Sequence, residues 1–466
     1  MPERKIVCLG AGSLYFRRAI ADLLMSQDLS GSEIVLYDLV HEKSERVARM
    51  GQRLAAEAGT GFRVRAAREL ADAVDGADYA ISSIGGSGAG ITPRVYMSHH
   101  HLEDVRIGAK YGVQQIIADT CGPGAMMMAF RAIPAYIEIC REMEKRCPQA
   151  MLFNHSNPMA VLCRAMRKYT DINVIGVCHG VQGGIRHAAA ILDIPANELE
   201  TVWIGTNHYY WFTRMRHQAA DVMPEFWKRV RKQKPAAAHQ MSAALSQVYG
   251  NWIVYPEDDH VIEFYPYLNQ GSDPTNLPFG MSEHGFGKRL QPLYAGEETL
   301  EEIRQRDQAA SRQEMLKAYG RQLNAVQLPQ NATDPISGEG TARLISDMAT
   351  GRRNVHICNV PNQGAVTNLP QEAVLELEAV TDSAGVRPVC AGDAPPVLEA
   401  LLRKRITWQE LVADAAAQGD RKLALQAMQV DEAAIPPKES EKMLGELMKN
   451  SKGMLPTFEK RRKSKR

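Results

Sequence analysis

Aromatic side chains are few, 6% of 466 residues, and no apolar stretch is long enough to cross a bilayer as a helix, which excludes a helical membrane protein. Charge of one sign is lacking too. Lys and Arg number 55 against 54 Asp and Glu, a formal net charge of +1, and that balance draws neither nucleic acid nor an anionic membrane. The expected partner is a small molecule. The one basic run, Glu459 to Arg466, reads as a solvated, frayed end. Disulfide spacing is also missing: Cys8, Cys121, Cys140, Cys147, Cys163, Cys178, Cys358 and Cys390 are scattered, several in apolar runs, as expected of reduced thiols in a cytoplasmic protein. Met1-Pro2-Glu3-Arg4-Lys5 runs into a strand pattern with no apolar signal core. No internal repeat or low-complexity linker breaks the chain, whose length fits one large α/β domain with a substantial second lobe.

What is present is alternation. Lys5 to Leu9 reads as a buried strand, Gly10-Ala11-Gly12-Ser13 as a turn, and Phe16 to Leu24 has helical apolar spacing. A second strand, Glu33 to Tyr37, ends in Asp38 before a helix over 41–58. Further strands are expected at Tyr79 to Ile84, broken at Gly85-Gly86, at Ala150 to Asn154, before Asn157-Pro158, and at Asn173 to Val177, before Cys178, with a helix from Gly124 to Arg146. Each break falls where a parallel sheet places its ligands, outside the carboxyl ends of its strands. From about residue 200 the pattern changes, with strands at Thr201 to Gly205 and Tyr209 to Thr213, longer helices, later strands at Val355 to Val360 and Ala373 to Val380, and a mostly helical last seventy residues.

Gly10 and Gly12 let a phosphate approach backbone amides at a helix start, with Ser13 closing the turn. Tyr15 stands where the usual dinucleotide fingerprint has its third glycine, which weakens the motif taken alone. Its place between strand and helix, with Asp38 closing the next strand, restores it. There a carboxylate can accept both ribose hydroxyls of NAD and repel a 2′-phosphate; the other reading of Asp38 is a cap for the following helix. Downstream, Cys178-His179 and Asn207-His208 offer a thiolate and imidazoles, and such a pair suggests that a divalent metal joins the chemistry.

Taken together, Gly10-Ala11-Gly12-Ser13, Asp119-Thr120-Cys121-Gly122-Pro123-Gly124, Asn157-Pro158-Met159, Cys178-His179-Gly180, Gly205-Thr206-Asn207-His208 and Asn359-Val360-Pro361-Asn362-Gln363-Gly364 resemble glycoside hydrolase family 4 over nearly the whole chain. The resemblance implies an N-terminal Rossmann-like parallel sheet over 1–200, a C-terminal α+β substrate and metal domain over 201–450, like the lactate and malate dehydrogenases, and a basic tail over 451–466. It implies NAD and a divalent metal, usually manganese, as cofactors. Hydrolysis then proceeds by oxidation at sugar C3, loss of the C2 proton, elimination at C1, water addition and return of the hydride, an exception to two-carboxylate glycosidases.

By the same resemblance Cys178 and His208 hold the metal, although a lone cysteine or histidine is more often structural. His179 is a candidate acid or hydrogen bonder near the departing oxygen, and Asp119 and Asn157 fix sugar and cofactor hydroxyls. For the C2 base the stretch Pro256-Glu257-Asp258-Asp259-His260, beside Glu263-Phe264, offers Asp258 first and Asp259 next, His260 orienting whichever serves; a helix cap or solvated acidic loop is the alternative. His99-His100-His101 cannot chelate together easily, because consecutive helical side chains diverge.

The Cys-His corner resembles members acting on unphosphorylated α-galactosides, α-galacturonides, α-glucuronides or α-glucosides. A uronate needs a cation near C6, for which Arg94, Arg106 and Arg131 are open candidates. Two other readings stand beside the hydrolase, an NAD-dependent 2-hydroxy acid dehydrogenase and a nonenzymatic nucleotide-binding regulator. A homodimer or homotetramer is expected by the same resemblance.

Overall fold

The computed structural model describes residues 3–85, 99–232, 239–253, 257–269, 276–283, 285–299, 301–302, 305, 312–330, 336–338 and 340–458. Gly86, Arg94, Pro256 and the basic run from residue 459 lie outside them.

Six strands, β1 (Lys5–Leu9), β2 (Glu33–Tyr37), β3 (Arg63–Ala66), β4 (Tyr79–Ser82), β5 (Met151–Asn154) and β6 (Asn173–Gly176), form a parallel sheet in the order β3-β2-β1-β4-β5-β6. Crossover direction reverses between β1 and β4, which opens a ligand crevice at the carboxyl edge of the sheet. The alternation along β1 shows why both faces are covered. Ile6 and Cys8 enter one apolar core with Phe16, Ile20, Val47 and Leu54, whereas Val7 and Leu9 enter the other with Phe130, Ile133 and Val412.

Sequence and structure agree on the first two strands and the two helices after them, Phe16–Leu24 and His41–Ala58. Elsewhere the bounds differ. β3 has only four residues and one buried side chain, too little for an apolar pattern to announce it. β4 stops at Ser82, two residues before its apolar run ends, because the Ile84 amide turns to the Ser156 hydroxyl at 2.8 Å. The long helix begins at Gly122, two residues early.

Beyond residue 200 the chain builds a second sheet from β7 (Leu199–Thr206), β8 (Tyr209–His217), β9 (Ala220–Asp221) and β10 (Trp252–Ile253). The scarce aromatics gather here: Trp203, Tyr210, Phe212, Phe226 and Trp252 form a separate buried cluster. The later strands β11 (Val355–Pro361), β12 (Val374–Asp382) and β13 (Gly385–Pro388) join the parallel sheet, β11 meeting β6 antiparallel at Asn359 and Gly176. This addition covers an edge that β6 would otherwise expose. It also brings the C-terminal segment against the carboxyl ends where ligands sit.

Arg131, a candidate for a uronate, is committed elsewhere. Its guanidinium meets Asp104 at 2.8 Å with both side chains buried, and donates to Ser451. Asp104→Ala is expected to cost about 3–5 kcal/mol in urea denaturation by stranding that cation; unchanged stability would contradict the pairing. Arg106 points outward to Glu103.

Candidate active site

At the nucleotide turn Gly10 has φ +75°, and a Cβ there would stand 2.5 Å from the Ser83 carbonyl oxygen, so only glycine fits. The Gly12 amide donates to Asp38 Oδ2 at 2.8 Å, and the Val40 amide to Asp38 Oδ1 at 2.8 Å. Asp38 therefore ties β2 to the turn and holds the residue just before the next helix without capping it. Ser13 Oγ accepts from Ser83 Oγ at 2.9 Å, joining the turn to the end of β4. Tyr15, the substitute for the third glycine, stacks on His155 with ring centroids 4.4 Å apart, their polar atoms 3.0 Å apart. Thr341 Oγ1 lies 3.1 Å from the same His155 Nε2. No sequence signal pointed to His155 or Thr341.

The second half of the site is a loop before helix Gly122–Arg146. Glu263 Oε1 accepts the amides of Ile116, Ile117 and Ala118 at 2.6, 2.7 and 2.9 Å, and His101 Nε2 holds the Ile117 carbonyl at 2.9 Å. Ala118 takes φ +55°, an unusual conformation for a non-glycine residue. The following residues, Asp119 and Thr120, are thereby presented inward.

His208 approaches them from the hairpin between β7 and β8. Its φ is +61°, and the hairpin is anchored by Asn207 Nδ2 donating to Glu376 Oε2 at 2.9 Å and Thr206 Oγ1 to Val374 O at 2.9 Å. Thr120 Oγ1 donates to Asp119 Oδ1 at 2.5 Å and lies 2.9 Å from His208 Nδ1. A hydroxyl has one proton to give. With that proton on Asp119, Thr120 accepts from His208 Nδ1–H, and the imidazole lone pair stands on Nε2. That nitrogen faces Cys178 Sγ at 3.6 Å. Asp119, His208 and His260 also place ligand atoms within 4.8 Å of one another. Because Nδ1 is engaged with Thr120, the Asp119 carboxylate stands behind the ring, an arrangement able to steer an imidazole toward a metal.

Asn157 Nδ2 donates to Asp119 Oδ2 at 2.8 Å. His260 Nε2 lies 4.0 Å from the same oxygen and its Nδ1 lies 3.4 Å from Asp259 Oδ1. Burial works to raise Asp119, but the hydrogen bond and charge of His208, the charge of His260 and the Thr120 hydroxyl hold its carboxyl well below the usual range. Burial lowers His208, which favours the neutral ring a metal requires. Burial also opposes charge on His260, yet Asp259, Asp119 and Glu263 raise it.

The structure thus brings Asp119, Asn157, Cys178, His208, Asp259 and His260 together. It does not put Asp258 among them. Asp258 Oδ2 accepts the Met241 amide at 2.7 Å, and Oδ1 accepts the Ser242 amide and hydroxyl at 2.9 and 2.5 Å, so this carboxylate caps helix Gln240–Tyr249. His179 is exposed at the start of helix Gly180–Leu192, and its charge reaches both His208 and Glu376.

Glu376 had no signal in the sequence. Fully buried on β12, it is pushed up to about 7 by burial, against the pull of Asn207, Asn359 and His179. A folded pKa above the unfolded carboxylate value means the fold binds the extra proton. Its contribution to stability is complete below about pH 4.5 and is lost as pH rises through about 7. Wild-type protein is expected to melt lower at pH 8 than at pH 5, and Glu376→Gln to reduce that difference in a thermal-shift series; an unchanged slope would contradict it.

A doubly wound sheet with a glycine turn after its first strand, and a carboxylate, imidazole and thiol corner that includes Cys178 just past β6, defines an enzyme of the nucleotide-binding α/β class. The description "Family 4 glycosyl hydrolase" matches residues 5–194, and that of its C-terminal domain matches 203–434. The chain belongs to this family and is a glycoside hydrolase. An alpha-galactosidase of Bacillus subtilis (strain 168) is 28% identical over 430 residues, covering 92% of this chain and 93% of its own. An alpha-galacturonidase of the same organism is 29% identical over 458 residues, covering 92% of each. The fold is shared with a 6-phospho-beta glucosidase from Thermotoga maritima solved with manganese, NAD+ and glucose-6-phosphate, at TM-score 0.73 and 21% identity over 96% of this chain and 98% of that one. No helix among the described residues is long and apolar enough to cross a membrane.

Proposed function

We propose that the protein hydrolyses an unphosphorylated α-glycoside, an α-galactoside, α-galacturonide or α-glucoside, with NAD and manganese as cofactors that are not consumed. The observation that carries this reading is the relay from Asp119 through Thr120 to His208, ending 3.6 Å from Cys178 Sγ. An imidazole with its lone pair on Nε2 beside a thiol is a donor set for a borderline divalent ion. The alpha-galactosidase and alpha-galacturonidase relatives support the substrate class, and the ligands of the Thermotoga structure support the cofactors.

Cys178 and His208 would hold the metal, which would polarise sugar oxygens as a Lewis acid. Gly10, Gly12, Ser13 and Asp38, with Asn157, would hold NAD, which when bound would supply reversible hydride transfer at sugar C3. The chain's own groups manage geometry and protons. Asp259 takes the C2 proton, with His260 beside it fixing the carboxylate's orientation and sharing its charge. Asn157 holds Asp119 in place for the His208 relay, and His179, exposed at the rim, donates toward the departing oxygen. The division at residue 200 falls between the two matched segments, although β11 to β13 share the first sheet; limited proteolysis would test it. The reading also places a homodimer or homotetramer in the cytoplasm, in keeping with eight cysteines that form no disulfide.

The deciding experiment offers p-nitrophenyl α-galactoside, α-galacturonide, α-glucoside and α-glucuronide to reduced protein, with NAD and Mn²⁺ omitted in turn. Release that needs both, without net NADH, is expected. NADH accumulating from a 2-hydroxy acid, with no release, would establish the dehydrogenase instead.

A further inference from the structure

The helix Arg312–Asn324 comes from the C-terminal part of the chain but packs on helix His41–Ala58 beside the nucleotide turn. A Cβ on Gly320 would stand 3.2 Å from Arg46 Nη1, and Arg53 Nη2 donates to the Val326 carbonyl at 2.8 Å just past the helix. This docking places Tyr319 against the cofactor side. The residue is 7% exposed, and Lys43 Nζ sits 5.7 Å from its ring centroid. Lys43 in turn covers the turn itself: a Cβ on Gly12 would fall 2.7 Å from Lys43 Cδ and 2.8 Å from Asp38 Oδ2. Burial and the charge of Asp38 raise the Tyr319 phenol, whereas Arg17 lowers it. Among the described residues its hydroxyl has no hydrogen-bond partner. A buried hydroxyl left so requires a reason.

We propose that Tyr319 completes the dinucleotide site from the C-terminal part of the chain, its hydroxyl donating to the adenosine-side ribose that Asp38 holds. The inference rests on the NAD reading above. Asp38 already accepts the Gly12 and Val40 amides, one on each oxygen, which leaves each oxygen a further acceptor position for a ribose hydroxyl. A ribose oxygen that donates to Asp38 still has lone pairs to satisfy. An ionised carboxylate cannot supply that donor, and a phenol at its side can. Cofactor occupancy is then coupled to docking of helix Arg312–Asn324, since one ligand touches both.

Isothermal titration of the full-length protein with NAD, ADP-ribose and nicotinamide mononucleotide tests this. Tyr319→Phe keeps the ring and its packing against Lys43. It is expected to weaken NAD and ADP-ribose about tenfold, by loss of one hydrogen bond, with nicotinamide mononucleotide and the cofactor-free melting temperature unchanged. A variant that binds NAD and ADP-ribose as tightly as wild type, or loses all three ligands equally, would overturn the inference. Wild-type protein that binds neither NAD nor ADP-ribose would overturn the cofactor reading and this inference with it, an outcome distinct from the first two.

Discussion

His208→Ala is expected to lower glycoside hydrolysis by about a thousandfold or more, since a Lewis-acid cation contributes several kcal/mol and each 1.4 kcal/mol is a factor of ten. Manganese affinity, read by electron paramagnetic resonance, should fall with it while NAD affinity stays within about twofold of wild type by the same logic of separate sites. The nucleotide turn is held by bonds to β2 and β4 and the β7–β8 hairpin by bonds to β12, so the two losses should separate. Thr120→Val tests the relay itself. It keeps shape but removes the hydroxyl between Asp119 and His208, and an outer partner of this kind costs about 10–100-fold in metal affinity or activity. Full manganese affinity in His208→Ala would remove the hairpin from the metal centre.

The second large effect separates two adjacent carboxylates. Asp259→Asn is expected to lower kcat by about 10²–10⁴-fold, the range for a general base, with little change in melting temperature. Asp258→Asn should do the reverse. Its carboxylate accepts two amides and a hydroxyl at the start of helix Gln240–Tyr249, and turning one oxygen into an NH₂ group sets a donor against a donor, at about 1–3 kcal/mol. Stopped-flow turnover and exchange of the C2 proton into deuterated solvent, measured beside denaturant melts, distinguish the two. Equal kinetic losses in both variants would mean that proton abstraction is not assigned to this segment.

These two residues show where sequence reading ends. Both stand in one acidic stretch, and choosing between neighbours by pattern alone is arbitrary because successive residues of a turn point in different directions. The choice comes from what each side chain meets: an open helix end for Asp258, an imidazole for Asp259. The motifs around Asp119 and Asn157 are legible because they sit at strand and helix boundaries. Asp119's position behind His208 is not, since the Thr120–His208 contact that links them spans 88 residues. Glu263 stands in the sequence only as a neighbour of the acidic stretch, and its capture of three amides across about 145 residues depends on packing.

What the sequence alone determined is local and periodic: buried strand runs, the glycine turn, helix spacing, and Asp38, Cys178 and His208 at or near strand ends, because steric and hydrophobic patterning acts over a few residues. Tertiary structure alone decided that β11 to β13 extend the first sheet, that Glu376 lies buried under the His208 hairpin, and that Tyr319 packs by Lys43 beside the nucleotide turn. Each of these is a contact between segments far apart in the chain, and burial, register and hydrogen-bond direction at such contacts are properties of the packed whole.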